Sequence, residues 1–471
     1  MSNPSINPDA VKENALSLAA ALGIELEHAA ELLKVHVMVT YDAGDSSAAF
    51  MGGEARALLG RTLQHVDDAA SPAVSVELVI GHALPRSTGT ILWLSVDSHT
   101  AVIARERRTG ATETRLHPAV LFVAACYAAA AVVREVIGDG MPLPRREQIV
   151  LNLEALGISE AVAKRTVDLG HAYLAGAGAI GTAFLWVMRW FAVRGSLDIV
   201  DFDWVKSRNL NRQLWYGPAD IMHRKAERLA ALAQDSFPEL FLKPRVAQLQ
   251  DLQDKQSDPQ WLRRLIVAVD SRAARRTLQS ELPGEVFDAS TTDIREIIVH
   301  TNRQPTSLAC MGCIYPRNAQ EDTRARSIAA ALGVAVDDIR RGIIDQAAAR
   351  LIIARYPERN LTEESLIGEA YDSLFKSLCA QAALRSADQQ QVFAPFAFVS
   401  ALAGALLAIE TVRRAGGETV SYNYWRVSPW EPFDIRLQRR IPASAACEIC
   451  ADPVIRHVAA QVWGARPRTL R

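Results

Sequence analysis

Gly176, Gly178 and Gly181 stand in a GxGxxG spacing within YLAGAGAIGTAFLWVMRWFAVRGSLDIVDFDWVKSRNLNRQ, residues 173 to 213. A short apolar strand runs into them, an apolar helix follows, and a second strand ends in Asp201-Phe202-Asp203. Glycines so spaced let the backbone turn tightly and approach a phosphate, the helix N-terminus faces the anion, and an acid about 20 residues on can take ribose hydroxyls. The pattern predicts a βαβ nucleotide-binding unit. Beyond it lie a polar loop with two cations, Arg208 and Arg212, a helix over 218 to 234 carrying Lys225, and a strand from Arg264 that ends at Asp270. In an open α/β sheet these groups converge beyond the carboxyl ends of the strands. Hydride chemistry needs neither the cations nor a magnesium-binding acid, so the set points to a nucleoside triphosphate and away from a dinucleotide.

The cysteines form a second constellation. Cys310-Met-Gly-Cys313 and Cys447-Glu-Ile-Cys450 are two CxxC knuckles, each able to give two thiolates to a tetrahedral zinc. One pair alone would suit a redox couple; two favour a closed structural site over redox or empty thiols. Cys126, in FVAACYAAAAVV, reads as a buried inert thiol. Cys379, in YDSLFKSLCAQAALRS, has Lys376 one helical turn earlier and Arg385 beyond it, a cationic setting that activates a thiolate. Leu374, Phe375 and Leu378 could equally bury it as an ordinary helix cysteine.

The elements that must position these groups fit a chain of 471 residues, long enough for two or three domains. Lys+Arg total 52 against Asp+Glu 53, which gives no electrostatic bias toward nucleic acid or an anionic membrane. The apolar runs 121 to 133 and 393 to 409 fall short of the roughly 20 residues that span a bilayer, so they are expected as buried helices. MSNPSINPDAVKEN shows no basic stretch before an apolar core, and most cysteines sit in CxxC pairs, so the expected location is the cytoplasm.

Helix is expected over 9 to 34 and around 53 to 64, strands over 35 to 41, 75 to 81, 90 to 96 and 101 to 105, and an apolar helix over 117 to 137. This N-terminal α/β region has no phosphate-binding glycine pattern and reads as catalytically silent. GDGMPLP at 138 to 144 reads as a linker, and 145 to 170 as one or two helices. Residues 317 to 392 read as an almost all-helical insertion, in which SIAAALGVAVDD echoes SLAAALGIELEH at 17 to 28 without functional consequence. FAFVSALAGALLAIETVRR, 396 to 414, reads as a helix with Glu410 and Arg413 at its exposed end, and VSYNYWRVSPW and FDIRLQRR as strands continuing the sheet.

GAGAIG, DFDWVKSRNLNRQ, HRKAE and VDSRAARR, in this order, closely resemble the adenylation domain of the ubiquitin-activating enzyme superfamily, which includes the ThiF and MoeB sulfur-carrier activators. The likeness covers residues 145 to 463, and its NLNRQ loop is the most specific part. It implies a Rossmann-like α/β adenylation domain with zinc knuckles over 145 to 316 and 393 to 471. A helical catalytic-cysteine insertion at 317 to 392 interrupts it, and an N-terminal α/β domain over 1 to 140, read as a degenerate, inactive copy, precedes it. Carried over by position, the resemblance implies that Gly176, Gly178 and Gly181 form the phosphate-side loop and that Asp203, with Asp201 beside it, holds the ribose. Asn209, Arg212 and Lys225 would contact the triphosphate of ATP, Asp270 would coordinate magnesium, and Cys379 would be the nucleophile. The implied zinc at Cys310, Cys313, Cys447 and Cys450 is structural.

The implied activity is adenylation of the C-terminal glycine of a ubiquitin-like protein, then thioester transfer for a conjugating-enzyme-like partner. An alternative is a ThiF/MoeB-like adenylyltransferase for sulfur-carrier or peptide modification. A third reading, from another class, is an NAD-dependent oxidoreductase or nucleotide-binding scaffold. Relatives act as homodimers or beside an inactive half that lends an arginine, so a homodimer or an internal pseudo-dimer is expected, with Arg105, Arg145 and Arg146 as the candidate arginines. The family's Arg-Tyr-x-Arg-Gln leader is only partly kept in PRREQ at 144 to 148.

Overall fold

The computed structural model describes residues 7–464 apart from 68–72, 109–115, 142, 144–145, 253, 255–257, 259, 293, 318, 368, 370, 372–373, 376–377 and 379–395. They divide into two compact units, Met1–Tyr315 with Ala394–Arg471, and Pro316–Phe393.

The first unit opens with α1 (Pro8–Leu22) and α2 (Leu26–Leu32). The single helix expected over 9 to 34 breaks at Gly23, whose φ of 67° closes α1 in the left-handed region. Next come β1 (His36–Tyr41), α3 (Ser46–Gly60), β2 (His65–Asp67), β3 (Val74–Ile80), β4 (Thr90–Val96), β5 (Thr100–Ala104), α4 (Pro118–Ile137) and β6 (Gln148–Asn152). α3 starts well before residue 53 because Asp45 caps the amides of Ser47 and Ala48. β6 corrects the helical reading of 145 to 170: its side chains alternate between exposed and buried, and it pairs antiparallel with β5 as the last strand of the first sheet.

The second half runs β7 (Val167–Ala175), α5 (Ala179–Met188), β8 (Val193–Val200), α6 (Lys225–Ala233), β9 (Glu239–Arg245), β10 (Arg264–Val267), α7 (Arg272–Ser280), β11 (Glu285–Thr291) and β12 (Ile297–Arg303). The unit Pro316–Phe393 follows, with α8 (Ala319–Leu332), α9 (Val336–Arg341) and α10 (Gln346–Arg355) around an apolar core that includes Ile328, Leu332, Ile352 and Leu378. The chain then returns to the first unit through α11 (Ala397–Ala415), β13 (Tyr424–Val427), β14 (Gln438–Arg439) and α12 (Pro453–Trp463). FDIRLQRR yields only the two-residue β14, because Ile435–Leu437 turns as a 3-10 helix.

The strand orders are β2-β1-β3-β4-β5-β6 and β14-β13-β12-β11-β10-β7-β8-β9. The second contains the first: β8-β7-β10-β11-β12-β13 repeats it with the same sequence of parallel and antiparallel pairings. α3 follows β1 as α5 follows β7, and α4 follows β5 as α11 follows β12. These helices pack on one another, α4 against α3 and α11, and α11 against α5, in one continuous apolar core. Gly404 of α11 permits the closest approach, since a Cβ there would lie 2.5 Å from the Ala183 Cβ. α4 is long and apolar enough to cross a membrane by length and composition, yet its apolar window is 83% buried inside the protein.

Glu410 and Arg413, expected at an exposed helix end, are 1% and 5% exposed. The α11 terminus is covered, and the charges are tolerated there because each is partnered. Arg413 donates to Glu418 at 2.8 Å, to the Tyr422 hydroxyl at 2.6 Å and to Glu410 at 3.2 Å.

Candidate active site

The three glycines answer to three different constraints. Gly176 has φ of 101°, and a Cβ there would meet the Ala268 carbonyl oxygen at 2.7 Å, so the turn out of β7 requires glycine twice over. A Cβ on Gly181 would lie 2.0 Å from the Gly176 carbonyl oxygen, so the first turn of α5 rests on the loop itself. At Gly178 a Cβ would find nothing within 4 Å. Nothing in the protein's own packing demands that glycine. It sits at the N-cap of α5 with no side-chain cap, leaving a hollow at a helix N-terminus whose amides need an acceptor.

Asp201 braces this loop. Its carboxylate accepts from the Ala177 amide at 2.7 Å and the Asp203 amide at 2.8 Å, and burial raises its pKa. The Tyr216 hydroxyl reaches the Ala177 carbonyl at 3.2 Å and the Lys225 carbonyl at 2.9 Å, tying the loop to the start of α6. Asp203 faces cations instead: Lys225 Nζ lies 2.5 Å and Lys206 Nζ 3.8 Å from it. Burial works against its ionisation, but Lys225 and Lys206 prevail and bring the carboxyl down to about 2. In Lys225 burial again opposes the charge, and Asp203, Asp201 and Asp270 hold its pKa up.

NLNRQ winds through a 3-10 turn, Ser207–Asn211. Asn209 is 8% exposed, and its Oδ1 has no hydrogen-bond partner among the described residues; neither has Gln213 Oε1. Buried polar atoms of this kind call for a partner from outside the chain. Burial lowers the pKa of Arg212, opposed by Glu13 and Asp270. Asp270 stands exposed between β10 and α7, at an electrostatic distance from Arg212, Lys225 and Arg275. The structure thus gathers Asp203, Arg212, Lys225 and Asp270 beyond the carboxyl ends of β7, β8 and β10, with the Gly178 hollow on the same sheet edge.

Residues that the sequence did not mark come from the N-terminal half. Glu13 on α1 lies 3.8 Å from Arg212. Arg61, just past α3, donates to the Leu210 carbonyl, to the Leu214 carbonyl at 3.1 Å and to the Tyr216 carbonyl at 3.4 Å, and burial pushes its pKa down to about 10. No local signal could reveal them, since the loop they grip lies some 150 to 200 positions further along the chain. The arginines expected to be lent to the site are engaged elsewhere: Arg105 with Glu135 at 2.5 Å and Arg146 with Glu431 at 3.2 Å. Arg145 lies outside the described residues, as do Cys379, Lys376 and Arg385.

The knuckle sulfurs of Cys310, Cys313, Cys447 and Cys450 all lie within 4.8 Å of one another. Cys310 Sγ is 3.9 Å from Cys313 Sγ and 3.7 Å from Cys447 Sγ. Zinc–sulfur bonds of ~2.3 Å in a tetrahedron space the sulfurs by ~3.8 Å, so the four thiolates fit zinc. Gly312 belongs to the fit, since a Cβ there would press on Cys447 Sγ at 3.1 Å. The Ser444 amide donates to Cys313 Sγ at 3.3 Å and the Cys450 amide to Cys447 Sγ at 3.5 Å, the outer contacts that stabilise thiolates. Cys126 is fully buried on α4, with its thiol pKa raised by that burial.

Residues 151–449 match the ThiF family, and residues 8–159 match the E1 N-terminal domain. The chain belongs to the ThiF family. The ThiF match contains the glycine loop, NLNRQ, Lys225, Asp270 and three knuckle cysteines, Cys450 standing just beyond it, whereas Glu13 and Arg61 fall in the E1 N-terminal match. An uncharacterized protein, y4jF, of Sinorhizobium fredii is 26% identical over 398 residues, 80% of this chain and 75% of its own. Ubiquitin-like modifier-activating enzyme 7 of Mus musculus is 32% identical over 112 residues, 22% of this chain and 12% of its own. Among solved structures, MccB of E. coli with ATP shares 13% identity at a TM-score of 0.39, over 77% of this chain and 98% of that one.

Proposed function

We propose that this ThiF-family protein is an ATP-dependent activating enzyme. It adenylates the C-terminal glycine of a ubiquitin-like protein and passes the acyl group to Cys379 as a thioester for a conjugating enzyme. The observation that carries the reading is the open Gly178 position at the N-terminus of α5, on the same sheet edge as the mutually interacting Arg212, Lys225, Asp203 and Asp270. Backbone amides at a helix N-terminus together with two cations suit phosphates, and a buried Asn209 whose Oδ1 has no partner among the described residues suits a polar ligand.

In the first step a carboxylate oxygen of the substrate's terminal glycine bonds to the α-phosphorus of ATP. The bond from that phosphorus to the α–β bridging oxygen breaks, and pyrophosphate leaves with the electron pair. Arg212 and Lys225 neutralise the charge growing on the leaving group, and the α5 amides hold the phosphates in line. Asp203 gives up its pairing with Lys225 to accept ribose hydroxyls, which frees that cation for phosphate. Magnesium held by Asp270 and the phosphates would offset phosphate charge, in keeping with a metal that takes one or two carboxylates and keeps several waters. In the second step the Cys379 thiolate attacks the acyl carbon and AMP leaves, which conserves the acyl group as a thioester.

The N-terminal half is read as an inactive copy of the adenylation fold. Among its described residues there are no counterparts of β9, α6 and α7, the segments that carry Lys225 and flank Asp270, and where the second half has its open glycine the side chain of Asp45 caps the helix N-terminus. The pairing of the halves within one chain supports an internal pseudo-dimer, and knuckle cysteines grouped for a metal instead of joined in disulfides support a reducing, cytoplasmic setting. The alternative outcome, sulfur transfer or peptide modification after adenylation, uses every residue of the first step. Incubating the protein with ATP, magnesium and ubiquitin-like proteins encoded beside it, then measuring mass, separates the two. The proposal expects a thiol-sensitive adduct lost in Cys379→Ala; acyl-adenylate with no adduct at any cysteine would leave the adenylyltransferase and remove the thioester step.

A further inference from the structure

Asn14 lies on α1, in the half of the chain that carries none of the proposed nucleotide ligands, and is 2% exposed. Its Nδ2 donates to the Arg61 carbonyl at 2.8 Å and to the Thr62 carbonyl at 3.2 Å. Those two carbonyls fix which way the amide faces, because a flipped Asn14 would set its own oxygen against them. Asn14 Oδ1 is therefore the atom left to accept from Asn211 Nδ2, at 2.7 Å. Asn211, 1% exposed, then has its Oδ1 turned the other way, where it accepts from Arg212 Nη1 at 2.6 Å. The chain of bonds has one polarity throughout, running from two backbone carbonyls at the end of α3, through two buried amides, to the guanidinium.

Buried networks of this kind rigidify what they hold when every member is satisfied. Here the held group is a guanidinium with 15% of its side chain exposed, reaching the site edge. The same turn is also gripped by the Arg61 guanidinium on the Leu210 and Leu214 carbonyls. We propose that Asn14 is a positioning residue for Arg212, acting through Asn211, so that the N-terminal half sets the aim of an arginine it does not carry. This rests on the reading of Arg212 as a triphosphate ligand.

The test is titration calorimetry of the full-length protein with ATP and magnesium, and separately with AMP. Arg212 meets phosphates that AMP lacks, so a positioning role shows as a loss confined to ATP, whereas a general structural role weakens both. Asn14→Ala is expected to weaken ATP about tenfold, the size of one charge-assisted hydrogen bond, with AMP affinity unchanged. In an Arg212→Ala background, Asn14→Ala is expected to cause no further loss. Equal losses for ATP and AMP, no loss for either, or an undiminished effect in the Arg212→Ala background would overturn the proposal. If Asn14→Ala does not fold, Asn211→Ala interrupts the same relay and carries the same expectations. A wild type that binds no ATP would remove the Arg212 reading and this proposal together. ATP binding that falls with Arg212→Ala but not with Asn14→Ala or Asn211→Ala would remove this proposal alone.

Discussion

Among single residues, the glycine loop separates folding from ligand binding. Gly178→Ala adds a methyl to open space at a φ of −81°, so thermal unfolding is expected to stay near wild type while ATP affinity falls at least tenfold, because the methyl occupies the phosphate hollow. Gly181→Ala places its Cβ 2.0 Å from a backbone oxygen and is expected to destabilise the fold by roughly 3 kcal/mol or more. Calorimetry of both variants checks the contrast. The Asp203–Lys225 pair has its own signature. A carboxyl brought from 3.8 to about 2 stabilises the folded state above pH ~4 and loses that contribution as pH falls through about 2, while Lys225, with its pKa raised, keeps its share until alkaline pH. Asp203→Asn is thus expected to cost on the order of 2 kcal/mol near neutrality, shrinking toward pH 2 in denaturant titrations. The loop residues were legible in the sequence because a phosphate site uses consecutive backbone. Glu13, Asn14 and Arg61 were not, because their role exists only once α1 and α3 fold against a loop far along the chain.

At the scale of elements, hydrophobic pattern located most strands and both long helices, and it failed where a short element owes its form to a neighbour. β6 is five residues long and lies after a Pro-rich stretch, so helical spacing competed for it; pairing with β5 decides. Glu410 and Arg413 look like a solvated helix end until Glu418 and Tyr422 fold back over them. The knuckles were legible as two CxxC pairs suited to one zinc, and the structure brings their four sulfurs together. Next to them α12 is fixed by Trp463 Nε1 on the Leu282 carbonyl at 2.8 Å and by Gln260 Nε2 on the Val462 carbonyl at 2.6 Å. Elemental analysis is expected to find one zinc per chain, and Cys447→Ser or chelation to lower the melting temperature by several degrees while ATP affinity changes little. Purified protein without zinc and with unchanged melting would refute the metal assignment.

Over the whole molecule, one strand order appears twice, and among the described residues only the second copy carries the added segments that bring cations and acid to the sheet edge. The sequence suggested a silent N-terminal domain by its missing glycine pattern; the matched pairings could be seen only in the folded chain, since the two halves share no motif. The N-terminal half covers α5 and α11 in a common core and braces the NLNRQ turn. The activity proposed for the second half is adenylation of a protein carboxylate. Exchange of labelled pyrophosphate into ATP, run with magnesium and a neighbouring-gene ubiquitin-like protein, tests it most directly. Exchange is expected to require the ubiquitin-like protein's terminal glycine and to fall at least a hundredfold in folded Arg212→Ala. Saturable NADH binding together with no exchange for any such protein would contradict it.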